Sequence, residues 1–468
     1  MLVKQLYTSC LAQGAYYIQS GNEAAVIDPL RDYKPYLELS LKNNATIKYI
    51  FETHFHADFV SGHLDLAEKT GADIVFGPNA DTTFKSIKAH DGQEFKIGEL
   101  TLKVLHTPGH TLESTTYLLL DEAQKPHSIY TGDTLFIGDV GRPDLAIKSD
   151  LTQEDLAGML FDSLRNKIMP LPDDVLVYPA HGAGSACGKN MSKETFDTLG
   201  NQKKVNYALG NISKEEFIKE LTSGILPAPQ YFSKNASLNK SGYTDYDTVA
   251  ERGNKALTVT QAQELLATTQ AIILDVRKPE EFGKEHIPGS VFIGIDGQFA
   301  PWAGVLISDL NQPIILVTPE GREEETIMRL SRVGYDNCLG YIENGVEAWK
   351  QQGEATASIS GIDAPDLVCR LKEDAVNVLD VRKPGEYDAG HLQNVNSYPL
   401  DFITDWQNTL SKDQTYYIHC AGGYRSMIAA SLLKRQGFND LIDVRGGYGA
   451  IHQTGISTQS QSCSSAKV

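Results

Sequence analysis

The chain has 468 residues, too many for one hydrophobic core, so roughly two to four domains are expected. Hydrophobic residues at 41% and charged residues at 22% fit folded domains and exclude a disordered chain. A formal net charge of -18 excludes nucleic acid and anionic membrane as expected partners.

No run approaches the ~20 apolar residues of a bilayer span, and the first residues lack an apolar core of signal-peptide length. The six cysteines, Cys10, Cys187, Cys338, Cys369, Cys420 and Cys463, show no paired spacing. Reduced thiols and a cytoplasmic location are the expectation.

Strand-like runs at 16–19, 24–27, 49–53, 74–76, 100–106, 115–120, 128–131 and 175–179 alternate with helical patterns, with His and Asp at strand ends. The first motif is Thr53-His54-Phe55-His56-Ala57-Asp58-Phe59. Its spacing is that of a metal site, but Phe59 stands where a further histidine would complete a second metal, and a phenyl ring cannot ligate one. His110 in Thr107-Pro108-Gly109-His110, Asp133 in Gly132-Asp133-Thr134 and His181 in Pro179-Ala180-His181 each follow an apolar strand beside Gly or Pro. Each is therefore expected on a tight loop at a strand end. Arg142, in Gly141-Arg142-Pro143-Asp144, is expected to pair with a local carboxylate. Cys187 is either an oxidisable thiol facing the metal pocket or a small core residue, and the sequence leaves both open. The polar stretch 233–255 reads as a linker, with packing against the first domain as the alternative.

Beyond it the chain repeats. Leu274-Asp275-Val276-Arg277-Lys278-Pro279 returns as Leu379-Asp380-Val381-Arg382-Lys383-Pro384. Apolar strands at 314–317 and 416–419, and helices ending at Gly334 and Gly437, follow in register. In the second copy Cys420-Ala421-Gly422-Gly423-Tyr424-Arg425-Ser426 opens a loop running into a helix near Ser426. Small residues let the backbone N–H groups of 421–426 turn inward. With the helix N-terminus they form an anion cradle, and Arg425 adds positive charge. In the first copy Thr318 occupies the Cys420 position, Pro319 removes a donor, and Glu320, Glu323 and Glu324 oppose an anion. Asp380 and Arg382 are expected to form a buried structural pair.

The N-terminal motifs, taken in this order, resemble the metallo-β-lactamase superfamily, and the intact set His54, His110 and Asp133 is most similar to its persulfide dioxygenase branch. Two histidines and a carboxylate with open positions form the facial triad of non-haem iron oxygenases. The resemblance implies one Fe(2+) per chain on those three residues, with His56, Asp58 and His181 beside them orienting ligands or waters. The repeats resemble the rhodanese sulfurtransferase family, with Cys420 carrying sulfane sulfur and the first copy inactive.

The implied fold is multidomain α/β. An αββα metallo-β-lactamase sandwich (1–240) precedes two rhodanese domains with parallel sheets (256–355 and 360–455) and a disordered tail (456–468). The implied activity is oxidation of a low-molecular-weight thiol persulfide by O2 to sulfite, coupled to sulfur transfer giving or using thiosulfate. A homo-oligomer is the expectation for such tandem units. Two alternatives are a zinc thioester hydrolase similar to glyoxalase II with a fused sulfurtransferase, and a sulfur-relay module serving partner proteins.

Overall fold

A computed structural model describes residues 1–145, 151–225, 227–373 and 376–460. The chain forms two compact units, Met1–Val249 with Met328–Asp336, and Ala250–Ile327 with Asn337–Val468.

The first unit is built on two six-stranded sheets. One places β1 (Leu2–Thr8), β2 (Gln13–Ser20), β3 (Glu23–Ile27), β4 (Thr46–Glu52), β5 (Asp73–Phe76) and β6 (Ile87–Lys88) side by side in chain order. The other runs β12 (Asp197–Thr198), β11 (Leu176–Pro179), β10 (Pro126–Gly132), β9 (Thr115–Leu120), β8 (Leu100–His106) and β7 (Glu94–Ile97). Tyr16, Ile18, Ile27 and Phe51 of the first sheet share one buried cluster with Phe95, Leu102, Val104 and Tyr130 of the second, so the sheets pack face to face. The second sheet's other face packs Leu118 and Ile129 against Leu160 and Leu164 of a helical layer. The helix His63–Thr70 lies on the first sheet through Leu64 and Ala67. This is the αββα sandwich. Every residue of β2 is buried, as expected for a strand covered on both faces.

The second unit carries two parallel sheets, one per repeat. The first has the order β13-β17-β16-β14-β15, from β13 (Ala256–Leu257), β14 (Ile272–Asp275), β15 (Val291–Phe292), β16 (Ile314–Val317) and β17 (Cys338–Ile342). The second has the order β18-β22-β21-β19, from β18 (Ser360–Ile362), β19 (Asn377–Asp380), β21 (Tyr416–His419) and β22 (Leu441–Val444). The two copies of the LDVR sequence sit at equivalent strand ends, on β14 and β19.

Two expectations need correction. The stretch 233–255 is not an open linker: it forms helices Phe232–Ser241 and Tyr246–Gly253, and the first of these is bonded to the metal-motif loop of the first unit. The tail from 461 onward lies outside the described residues, but Thr458–Gln459 (β23) pairs antiparallel with His391–Leu392 (β20), so the chain is ordered there. Among the described residues no helix is long and apolar enough to cross a membrane.

Candidate metal centre and cysteine loop

β4 delivers the motif loop, and Asp28 at the end of β3 fixes its start. The Asp28 carboxylate accepts from Thr53 N at 2.8 Å and from Thr53 Oγ1 at 2.9 Å. The Thr53 hydroxyl hydrogen is thus used on Asp28, so its oxygen is left to accept from His54 Nδ1, 3.0 Å away. That tautomer leaves a lone pair on His54 Nε2. His110 reaches the same state differently: its Nδ1 donates to the Arg142 carbonyl at 2.7 Å. The backbone of Arg142, not its side chain, orients this ligand, while its guanidinium grips Asp144 through two bonds of 2.6 Å, as expected. Gly141 lies so close that an added Cβ would sit 2.1 Å from Asp133 O and 2.9 Å from His110 Nδ1.

His54 Nε2 and His110 Nε2 both face Asp133 Oδ2, at 3.9 and 3.4 Å. One ligand atom from each of His54, His110 and Asp133 lies within 4.8 Å of the others, and all three residues are buried. Both Asp133 oxygens are buried without a hydrogen-bond partner among the described residues. A buried carboxylate in that state is costly unless a cation satisfies it. The donor set therefore fits a metal ion. Burial, reinforced by His56, His110 and His181, pushes His54 well below the usual histidine range, which keeps its lone pair available.

His56, Asp58 and His181 form a second trio within the same 4.8 Å limit. His181 Nε2 lies 3.4 Å from Asp58 Oδ2 and 3.6 Å from Asp133 Oδ1. Burial works against protonation of His181, but Asp58 and Asp133 outweigh it and push the group up to about 9. Losing a ligand at position 59 leaves His56 beside Asp58 and His181, a partner that counting along the motif did not include. Two features weigh against a second metal. His56 Nε2 is 3.0 Å from Asp28 Oδ1, and the fully buried Phe59 ring, 4.3 Å from the His56 ring and 6.4 Å from His181, fills the corner with hydrocarbon. The Cys187 thiol faces this pocket, within 4.8 Å of ligand atoms of Asp133 and His181. Burial, helped by Asp58 and Asp133, pushes it well above the usual thiol range, so it stays protonated.

In the second unit, Cys420 directly follows β21 and is buried. Gly423 N donates to Cys420 Sγ at 3.1 Å, and Ser426 Oγ lies 3.6 Å from the sulfur. The helix Tyr424–Arg435 starts at the loop, two residues before the expected Ser426, with Gly423 at φ 110 as its cap. Tyr448 N and Gly449 N donate to the carbonyls of Cys420 and Ala421 at 2.7 and 3.1 Å, which fixes the loop's outer face. Gly422 has open space at its Cβ position, so the cradle is not filled there. Arg425 is not an unopposed charge: its guanidinium is paired with Glu386. Asp380 and Arg382 form the expected buried pair, with Arg382 stacked 3.8 Å over the Tyr448 ring. In the first repeat Glu323 occupies the equivalent loop itself, accepting from Thr318 Oγ1 at 3.1 Å and Gly321 N at 3.2 Å.

Comparison with known proteins agrees with this geometry. The metallo-beta-lactamase superfamily model matches residues 10–181, and the rhodanese-like domain model matches 258–352 and 363–454. The human mitochondrial persulfide dioxygenase ETHE1 is 30% identical over 242 residues, covering 49% of this chain and 84% of that protein. The chain belongs to the metallo-beta-lactamase superfamily. It carries a domain homologous to the persulfide dioxygenases, followed by two rhodanese-like domains in tandem. A metallo-beta-lactamase structure from Staphylococcus aureus superposes with a TM-score of 0.64 at 31% identity, covering 73% of this chain and 98% of that one. A hydroxyacylglutathione hydrolase from Tolumonas auensis is 32% identical over 170 residues, covering 36% of this chain and 60% of that protein.

Within this metallo-beta-lactamase domain, sequence reading missed Asp28, Glu52 and Asn239. Asn239 donates to the carbonyls of His56 and Phe59 at 2.7 and 2.8 Å and accepts from Ser61 N at 2.8 Å, tying down the motif loop. Burial and the neighbouring Asp28 push Glu52 well above the carboxylate range, and its side chain accepts from the Ser61 hydroxyl behind His56. In the rhodanese-like half it missed Glu386, which neutralises Arg425.

Proposed function

We propose that the chain is a cytoplasmic enzyme of sulfide detoxification with domains at 1–240, 256–355 and 360–455. It oxidises a low-molecular-weight thiol persulfide with O2 and moves sulfane sulfur through Cys420. The observation that carries this reading is the convergence of His54, His110 and the unsatisfied Asp133 in one buried site, on a chain that also holds a cysteine loop.

His54, His110 and Asp133 would hold Fe(II), one per chain. When bound, the iron supplies open coordination positions and redox chemistry for O2 and the persulfide. Thr53 and the Arg142 carbonyl hold the two histidines in the metal-binding tautomer. His56, Asp58 and His181 orient water and move protons beside the reacting sulfur, and Phe59 keeps the adjacent corner dry. The reaction balances as RSSH + O2 + H2O giving RSH, sulfite and two protons.

At the second site the Cys420 thiolate attacks the outer sulfur of RSSH. The S–S bond breaks, RSH leaves, and Cys420 carries Cys-S-S⁻. The inward N–H of Gly423 and the start of the helix Tyr424–Arg435 stabilise that anion. Sulfite then takes the outer sulfur, giving thiosulfate and free Cys420. The same groups serve the reverse direction. The first repeat, with Thr318 in place of cysteine and Glu323 in its loop, carries no sulfur.

A zinc thioester hydrolase is the second reading, favoured by the His56, Asp58 and His181 trio and by the hydroxyacylglutathione hydrolase relative. The sulfur-transfer half is tested with Cys420→Ser. The variant is expected to oxidise persulfide to sulfite at the normal rate and to form no thiosulfate. Thiosulfate formation at the wild-type rate would contradict the role of Cys420 and leave the repeats as a relay module for other proteins.

A further inference from the structure

The first repeat has lost its own sulfur carrier, yet it touches the loop of the second repeat at the residue next to Gly423. Tyr424 is the first residue of the helix that starts at the Cys420 loop. Its hydroxyl donates to the carbonyl of Gly294, in the first repeat, at 2.7 Å. Its ring lies against the turn 294–297, where an added Cβ on Gly297 would fall 2.3 Å from Tyr424 Cζ and 2.5 Å from Cε2. The Phe292 ring packs on it edge-on at 6.2 Å. Along the same helix, Ser431 Oγ accepts from Phe292 N at 3.0 Å, so the seat is continued by a second bond.

The degenerate loop of the first repeat braces that seat. Arg322 stands at the position equivalent to Tyr424. Its guanidinium bonds Asp296, inside the turn, at 2.5 Å and Glu325 at 2.8 Å. Glu323 meanwhile closes the loop from within. Arg322 thus ties the degenerate loop to the turn that receives Tyr424, while Glu323 holds that loop closed.

We propose that the first rhodanese-like repeat is a positioning element for the second: by seating Tyr424 on Gly294 and Gly297 it fixes the Gly423 peptide, whose N–H points at Cys420 Sγ. Tyr424 and Gly297 are positioning residues, acting through Gly423 on the sulfur. The idea rests on the reading of Cys420 as the sulfur carrier, but its main test does not need sulfur to move.

The test is a double-mutant cycle on the full chain. The readouts are the rate of Cys420 alkylation by iodoacetamide across neutral pH, the sulfurtransferase rate, and the melting temperature. Gly297→Ala forces a methyl into the ring seat, and Tyr424→Phe removes only the bond to Gly294 O. Each is expected to slow Cys420 alkylation and sulfur transfer by roughly three- to tenfold at an unchanged melting temperature, the scale of weakening one hydrogen bond to a charged group. In a Tyr424→Ala background, which empties the seat, Gly297→Ala should add nothing further. Wild-type alkylation in both single variants would overturn the proposal, as would an equal cost of Gly297→Ala in both backgrounds. A wild-type protein whose Cys420 alkylates normally but transfers no sulfur would instead sink the proposed function and leave this positioning intact.

Discussion

The Arg425 guanidinium is clamped by the Glu386 carboxylate, with bonds of 2.5 and 2.8 Å. The Arg425 bond holds Glu386 below the usual carboxylate range. A cation beside the cysteine loop is thus kept in place and partly neutralised. Arg425→Ala should lower kcat/KM for thiosulfate formation by roughly tenfold, through loss of a charge that attracts sulfite. Glu386→Gln keeps that charge and should cost less than about threefold, with a steeper loss of rate on adding salt. Steady-state kinetics at two ionic strengths measure both.

Asn239 is a support of the metal loop that lies 183 residues from His56 in sequence. Asn239→Ala removes donors from two buried carbonyls and an acceptor from Ser61 N. It should weaken metal retention by roughly ten- to a hundredfold, as supports of metal ligands do. Dialysis against a chelator followed by metal analysis reads this directly, with thiosulfate:cyanide sulfurtransferase activity as the unaffected control.

Asp443 gives a pH signature. It lies on β22, and burial pushes its carboxyl up to about 6. The folded protein therefore holds this proton more tightly than the unfolded chain does. The stability tied to it is fully present below about pH 4 and is lost as pH rises to about 6. Asp443→Asn should stabilise the protein at pH 8 by an amount on the order of 3 kcal/mol. The advantage should shrink as pH falls from 6 to 4. Urea unfolding of the two proteins across that range checks the sign.

The Phe59 ring lies beside the second trio, 4.3 Å from the His56 ring. Phe59→His should add a nitrogen ligand to Asp58 and His181, raise the metal content towards two per chain, and cost roughly tenfold or more in persulfide oxidation. A variant that keeps one metal and full activity would make Phe59 a bystander.

Much of the candidate site was legible in the sequence because its histidines and aspartate sit where strands end. His54, His110, Asp133 and His181 each follow an apolar run that the structure makes a strand, at β4, β8, β10 and β11. The duplicated repeat and the Cys420 loop were legible for the same reason. The supports were not. Asp28 acts on Thr53 across 25 residues, and nothing local in Val26-Ile27-Asp28-Pro29 marks it as a ligand support. Phe232–Ser241 is rich in Ser, Asn and Lys and reads as a linker because, after Phe232, its buried positions are Asn235 and Asn239, not leucines. Burial of the Asn239 amide is offset by its bonds to backbone groups of the motif loop, which no periodicity reveals. Likewise the sequence shows the charge of Glu320, Glu323 and Glu324 but not that Glu323 accepts from Thr318 Oγ1 and Gly321 N inside its own loop.

In the proposed function, His54, His110 and Asp133 hold iron for persulfide oxidation. The direct measurement is metal analysis of protein purified without oxygen, joined to oxygen uptake on adding a thiol persulfide. One iron per chain with persulfide-dependent oxygen consumption, both lost in His110→Ala, is the predicted result. Stoichiometric zinc, thioester cleavage and no oxygen uptake would contradict it.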